Sequence, residues 1–218
     1  MFIQKLQAIS IRYWYIKNII FFQYFFFSTL MDINMIDLML FNKPYGVLSQ
    51  FSENDGHLGL KSYIDIPNIY PMGRLDRDSE GLLLLSSSGP LTARISNPKY
   101  KMEKTYLVQV EGTITPAATK ILTAGVILND GITRPAKIKI INEPIVWPRK
   151  PAIRNRPSLT TSWIELRIKE GRNRQIRRMT ASVGFPTLRL IRSAIGPWQL
   201  GDILPGEYLC QKTHLPHV

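Results

Sequence analysis

Gly73-Arg74-Leu75-Asp76-Arg77-Asp78-Ser79-Glu80-Gly81-Leu82-Leu83-Leu84-Leu85 sets a densely charged, glycine-bounded loop directly against an unbroken apolar run. The run closes at Ser86-Ser87-Ser88-Gly89, so it is too short for a helix and reads as a strand buried on both faces. Such a strand belongs inside a sheet, and the loop before it then opens at the sheet's end. Asp76, Asp78 and Glu80 are all candidates for an acidic nucleophile or base. A carboxylate in a partly dry site stays ionised when arginines stand beside it, and Arg74 and Arg77 are in the same loop.

Outward from this centre the chain alternates short strands and short helices. Residues 37–41 predict a strand stopped by Asn42-Lys43-Pro44, and residues 104–111, 136–141, 162–168 and 187–195 carry strand patterning. Pro90 to Ile95 predicts a short helix. Thr115-Pro116 is an N-cap with proline in the first helical position, opening a helix that ends near Gly125. Residues 143–160 hold four prolines and read as a loop or insertion, and Asn173 to Val183 reads as a helix with Gly184 just beyond it. The expected class is α+β, with a mixed or antiparallel sheet and flanking helices.

The chain has 218 residues, 44% of them hydrophobic and 20% charged, which excludes wholesale disorder. Its 28 Lys and Arg against 16 Asp and Glu give a net charge of +12. Residues 145–192 hold twelve of these cations against Glu165 and Glu170, so this stretch alone contributes +10. Charge concentrated in this way points to a polyanionic partner, most simply nucleic acid. On the helix beginning near Asn173, Ile176, Met179 and Val183 share one side, while Arg174, Arg177 and Arg178 cluster on the other, a face suited to phosphate. Tyr106 offers a flat apolar ring on which an extruded base can stack. The single Cys210 rules out an internal disulfide, and His57, His214 and His217 form no convincing metal site.

Residues 1–35 differ from the rest, and residues 19–27 are the most hydrophobic run in the chain. The run is interrupted by Gln23, falls short of the roughly 20 residues of a spanning helix, and has no signal cleavage site. It reads as an interfacial anchor, as an extension packed on the domain, or as residues upstream of a start at Met31 or Met35. The last is favoured, with a domain over 36–210 and a tail over 211–218.

Together these segments resemble the bacterial ribosomal-RNA pseudouridine synthases of the RsuA type. Phe41-Asn42-Lys43-Pro44-Tyr45-Gly46-Val47 looks like that family's opening strand. Gly73-Arg74-Leu75-Asp76 with Ser79-Glu80-Gly81-Leu82-Leu83-Leu84 looks like its catalytic motif, and Lys104-Thr105-Tyr106 like its tyrosine motif. Residues 170–179, Glu-Gly-Arg-Asn-Arg-Gln-Ile-Arg-Arg-Met, match the third, and the insertion around Trp147, Arg154 and Trp163 is similar to the large-subunit branch. The resemblance implies the pseudouridine-synthase catalytic fold and isomerisation of uridine to pseudouridine in 23S ribosomal RNA, free or in a large-subunit assembly intermediate. It implies Asp76 as nucleophile, Tyr106 stacked on the target base and Arg177 as the ion-pair partner of Asp76. RNA contacts would come from Arg74, Lys43, Lys104, Arg172, Arg174 and Arg178. No cofactor and no metal are required, and a cytoplasmic monomer without stable membrane association is expected. Many relatives carry an N-terminal RNA-binding module of the ribosomal-protein-S4 type, which residues 1–35 cannot form, so recognition would rest on the catalytic domain.

A chain begun at Met35 should therefore stay soluble and fully active, because globular patterning starts at Ile36. Precipitation or loss of activity in that truncated protein would make the aromatic segment part of the fold.

Overall fold

The structure, a computed structural model, describes residues 36–100, 102–153 and 160–215. The hydrophobic extension expected over residues 1–35 and the arginines 154 and 156 lie outside the described residues. The chain divides into two compact units, and almost all described residues belong to the larger, which runs from Asp37 to Gln211.

Eleven strands are described: β1 (Ile36–Lys43), β2 (Tyr70–Pro71), β3 (Glu80–Ser86), β4 (Lys104–Glu111), β5 (Ile127–Leu128), β6 (Gly131–Ile132), β7 (Lys137–Ile141), β8 (Thr161–Ile168), β9 (Thr187–Ile195), β10 (Trp198–Gln199) and β11 (Tyr208–Thr213). Nine form one sheet in the order β11-β1-β3-β9-β4-β8-β7, with β2 added to β3 and β10 to β9, while β5 and β6 make a separate hairpin. β3 and β9 run parallel, whereas β1/β3, β4/β8, β4/β9 and β7/β8 are antiparallel. The sheet is mixed, as expected. β11 continues to Thr213, so the segment expected as a tail from residue 211 begins as strand.

The apolar run lies mid-sheet with every residue of β3 buried. Side chains alternate across a strand, so Leu83 and Leu85 join Met39, Phe41, Leu60 and Ile64 in one core. The other core gathers Val108, Val110, Ile164 and Leu166 with Leu122 and Met179. Gly81 has φ +98°, and a Cβ there would lie 2.4 Å from the Arg192 carbonyl, so only glycine lets β9 approach.

The three helices among the described residues are α1 (Gly89–Ser96), α2 (Pro116–Ala124) and α3 (Gln175–Ser182). Ser88 caps α1 and Thr115 caps α2, each accepting a hydrogen bond from the backbone N–H three residues on, with proline in the first turn. α3 starts two residues later than expected. Arg174 is its N-cap, at φ +49° in the left-handed region, and contributes no side-chain cap bond. Ile176 and Met179 are buried as expected, and Val183 packs on the same core.

β1 ends on Lys43, which is fully buried. Its Nζ donates to the carbonyls of Val47 at 2.7 Å, Pro44 at 2.9 Å and Arg77 at 3.4 Å. The expectation that Lys43 reaches RNA is therefore corrected: its ammonium points inward and ties the β1 end to the charged loop. Burial pushes it down from 10.5 to about 7, against the raising pull of Glu80, Asp78 and Asp76 and with help from Arg192. The folded state thus holds this proton less tightly than the unfolded chain does. Between about pH 7 and 10.5 unfolding takes up the proton, so Lys43 makes stability rise with pH over that window. Denaturant midpoints should rise between pH 7 and 10 in the wild type relative to Lys43→Met, and parallel pH profiles would refute the assignment.

Candidate active site

Residues 72–79 connect β2 to β3, and their backbone is held from several directions. The carbonyl of Arg74 accepts from Arg192 Nη1 at 3.3 Å, that of Leu75 from Ser49 Oγ at 2.8 Å, and that of Asp76 from the Ser79 N–H at 3.0 Å. The carbonyl of Arg77 accepts from the Gly46 N–H at 2.8 Å and from Lys43, and that of Asp78 from Arg177 Nη2 at 2.7 Å. The Leu75 N–H in turn donates to Ser49 Oγ at 3.0 Å. Bonds from charged donors contribute about 1.5–3 kcal/mol each, which leaves this loop little freedom. At its end Glu80 is buried and ion-paired with Arg189 at 2.8 and 2.9 Å, and Trp147 from the insertion donates to the same carboxylate at 2.8 Å.

Asp76 projects from this loop, its side chain 37% exposed. It lines a cleft of about 770 Å³ together with Tyr106, Arg74, Lys104, Arg172 and Arg174. Tyr106 is 7% exposed on β4 and stands opposite Arg192 of β9. The structure thus brings Asp76, Tyr106 and four of the expected cations to one concavity, of the size that takes a nucleotide-scale ligand.

The arginines are arranged differently from the expected bare basic face. The guanidinium nearest Asp76 is that of Arg174, at 3.7 Å, and not that of Arg177. Arg177 instead lies 3.4 Å from the Asp78 carboxylate, its side chain 14% exposed, which corrects the pairing inferred from the resemblance. The reason is the left-handed turn at Arg174, which swings that residue off the helix face toward the loop, while Arg177 one turn later reaches beneath it. Asp78 also takes both Arg174 nitrogens, at 2.9 and 3.0 Å. Burial would raise the Asp78 pKa, but the Arg174 hydrogen bonds and the charge of Arg177 outweigh it and lower it. Burial lowers the Arg177 pKa, with Asp78 opposing.

Arg178 makes two bonds to Asp130, at 2.8 and 3.0 Å, and these hold that exposed carboxyl down to about 2. Arg172 donates to the carbonyls of Gly131 and Ile132, at 2.9 and 2.5 Å. Both therefore fasten the β5–β6 turn to the α3 end, and each would have to exchange these partners to bind phosphate. Buried Gln175 braces the loop before α3, accepting from the Arg172 N–H and donating to Glu170. Arg74 is exposed, and its side chain makes no hydrogen bond or ion pair among the described residues.

Sequence reading named Glu80 as a candidate carboxylate but missed its pairing with Arg189, and it missed Ser49 and Arg192 as members of this assembly. An arginine inside an apolar strand, as in Leu190-Ile191-Arg192, was the available signal, since a cation is buried there only when something holds it. Among the described residues no group of three or more His, Cys, Asp or Glu could hold a metal ion, and no helix is long and apolar enough to cross a membrane.

Comparison with known proteins places this arrangement. Residues 37–182 match the family model of RNA pseudouridylate synthase. The chain is 48% identical over 177 residues to the ribosomal large subunit pseudouridine synthase E of Vibrio parahaemolyticus, covering 81% of this chain and 74% of that protein. It is 51% identical over 179 residues to the protein of the same name in Xanthomonas campestris, covering 78% and 93%. Among solved structures, a pseudouridylate synthase superposes with TM-score 0.67 at 30% identity, covering 81% of this chain and 70% of that one. The protein of an H/ACA particle bound to a substrate RNA shares the fold alone, with TM-score 0.52 at 14% identity. Half-identity to RNA-modifying enzymes over most of the chain, with the same fold beneath it, makes this protein a member of the RNA pseudouridylate synthase family, of the RsuA type, and an isomerase acting on ribosomal RNA.

Proposed function

We propose that the protein converts one specific uridine of 23S ribosomal RNA to pseudouridine, with Asp76 as the nucleophile and the target base flipped onto Tyr106. The observation that carries this reading is the shared cleft: a half-exposed carboxylate on a rigid loop and a buried tyrosine ring line one cavity rimmed by cations. The large subunit is favoured because the most similar relatives bear that name. The substrate is the free RNA or an assembly intermediate, in the cytoplasm, and the enzyme acts as a monomer built on the domain that starts near residue 36.

In this reading the Asp76 carboxylate acts on the ribose side of the uridine, by attack at C1′ or by deprotonation at C2′. The C1′–N1 bond breaks, the uracil turns, and C5 bonds to C1′. The reaction is an isomerisation with no net redox change or hydrolysis, so its balance calls for no cofactor. Taking the base out of its stack costs a few kcal/mol, which stacking on Tyr106 and phosphate contacts at the rim would offset. Arg74 fits the role of an RNA contact, and Arg174 joins it if it releases Asp78. Arg177 is a positioning residue, acting on the loop through Asp78.

Release of tritium from 5-tritiated uridine in 23S RNA should fall at least about a thousandfold in Asp76→Asn, with RNA affinity changed less than about twofold, as for loss of a nucleophile. Asp78→Asn frees two arginines and loosens the loop without removing the reacting group, so its loss should be nearer tenfold. Substantial turnover in Asp76→Asn would end the nucleophile assignment. Mapping pseudouridine in ribosomal RNA with and without the gene tests the substrate: one 23S position should disappear, and a loss confined to the small-subunit RNA would refute the 23S reading.

A further inference from the structure

Several arginines in and around the cleft already have a carboxylate. Arg172 has Glu170 and Asp130, Arg174 has Asp76 and Asp78, Arg177 has Asp78, Arg178 has Asp130, and Arg189 has Glu80. Lys104 and Arg192 are the exceptions on its floor, since neither forms an ion pair among the described residues. Arg192 is 4% exposed, and it donates from Nε to the Leu82 carbonyl at 2.7 Å and from Nη1 to that of Arg74. Its buried Nη2 has no partner. An unmet buried donor costs about 1–3 kcal/mol. Lys104 gives one bond, to the Met102 carbonyl at 3.1 Å.

Their placement relative to Tyr106 is fixed by register. Lys104 precedes Tyr106 by two residues on β4, so the two side chains share a face of the sheet. Arg192 is the cross-strand partner of Tyr106 on β9, and all three residues line the cleft. Two cations thus stand beside the ring on which the base would stack. Burial lowers the Lys104 pKa, and the charge of Arg192 lowers it further, as expected of neighbouring like charges with no anion between them.

We propose that Lys104 and Arg192 form an electrostatic subsite for the detached uracil, stabilising the negative charge it carries between glycosidic cleavage and C5 attachment. This rests on the uridine-isomerisation reading above. When C1′–N1 breaks, the bonding pair leaves with N1, and the uracil becomes a monoanion with its charge spread over N1, O2 and O4. C5 then supplies the pair that bonds to C1′, the C5 proton is lost to solvent, and N1 takes up a proton, so atoms and electrons balance. The pair on N1 arises whether Asp76 attacks C1′ or removes the C2′ proton. Donors fixed beside the turning ring would lower the barrier without holding it in one orientation. A backbone phosphate is the less suitable occupant, because the phosphates of a flipped nucleotide stay at the rim, where exposed Arg74 and Lys169 stand.

The test compares Lys104→Met, Lys104→Arg and Arg192→Lys with the wild type, using in-vitro transcribed 23S RNA carrying 5-tritiated uridine. Single-turnover tritium release at saturating enzyme, RNA affinity with its salt dependence, and melting temperature are measured together. Lys104→Met should slow release about a hundredfold or more, the range for losing one such donor. Its affinity, salt slope and melting temperature should stay close to wild type, and Lys104→Arg, which keeps the charge, should recover most of the rate. A saturated rate within threefold of wild type in Lys104→Met overturns the proposal. So does a loss confined to affinity with a salt slope reduced by about one, which marks a phosphate contact. Equal impairment of Lys104→Met and Lys104→Arg with lowered melting temperature would reduce the residue to a structural role. Arg192→Lys adds a second reading if it folds, and Lys104 decides the matter if it does not. A wild type that releases no tritium from ribosomal RNA defeats the functional reading itself, and is thereby distinguishable from failure of the subsite alone.

Discussion

Five consecutive carbonyls, from Arg74 to Asp78, are each taken by a donor, and four of the five receive one from a distant part of the chain. Lys43 arrives from the end of β1, Ser49 from the loop after it, Arg177 from α3 and Arg192 from β9. A loop without secondary structure ordinarily satisfies its backbone with water and moves accordingly. This one is satisfied by buried cations and a hydroxyl, so the position of Asp76 is determined by the sheet and α3 together. Removing Ser49, Arg177 or Arg192 would leave a carbonyl unmet and return to the loop some of the freedom that the fold has taken away.

The same constraint explains the distribution of charge. A basic stretch of +10 reads as an RNA-binding surface, yet many of its arginines are engaged within the protein. Arg177 and Arg189 hold the loop over residues 72–79 and the strand after it, and Arg172 and Arg178 hold the β5–β6 turn. Arginine suits this work because its planar fork grips two acceptors at once and its charge persists on burial. Charge left for a polyanion is therefore selective rather than diffuse: exposed side chains at the rim, and an uncompensated pair on the floor beside Tyr106.

The insertion between β7 and β8 enters the same framework. Trp147 bonds to the buried Glu80 carboxylate, Arg189 donates to the Trp147 carbonyl at 2.9 Å, and Arg149 lies 4.3 Å above the Tyr45 ring. A proline-rich segment that looks like a loose excursion in sequence is thus fastened to the turn after β1 and to the start of β3. A buried ion pair is stable only when its remaining lone pairs are satisfied, and the indole N–H does this for Glu80.

The sequence by itself determined the longer elements and their order: the buried strand at Leu82–Leu85, the capped helix at Thr115-Pro116, the helix before Gly184, the α+β class and the four motifs that carry the family resemblance. These are local signals, set by side-chain periodicity, caps and turn residues within a few positions. Only the tertiary structure decided which charge meets which. Lys43 turned inward, Arg174 took the place beside Asp76 expected of Arg177, and Arg178 went to Asp130, because pairing depends on register and on a single left-handed residue at the start of α3. Arg192 was legible only as an arginine in an apolar strand, and its position across from Tyr106 follows from the β4–β9 register, which no local pattern encodes. Periodicity tells a residue's face, and contacts between residues a hundred positions apart are set by how the faces are assembled.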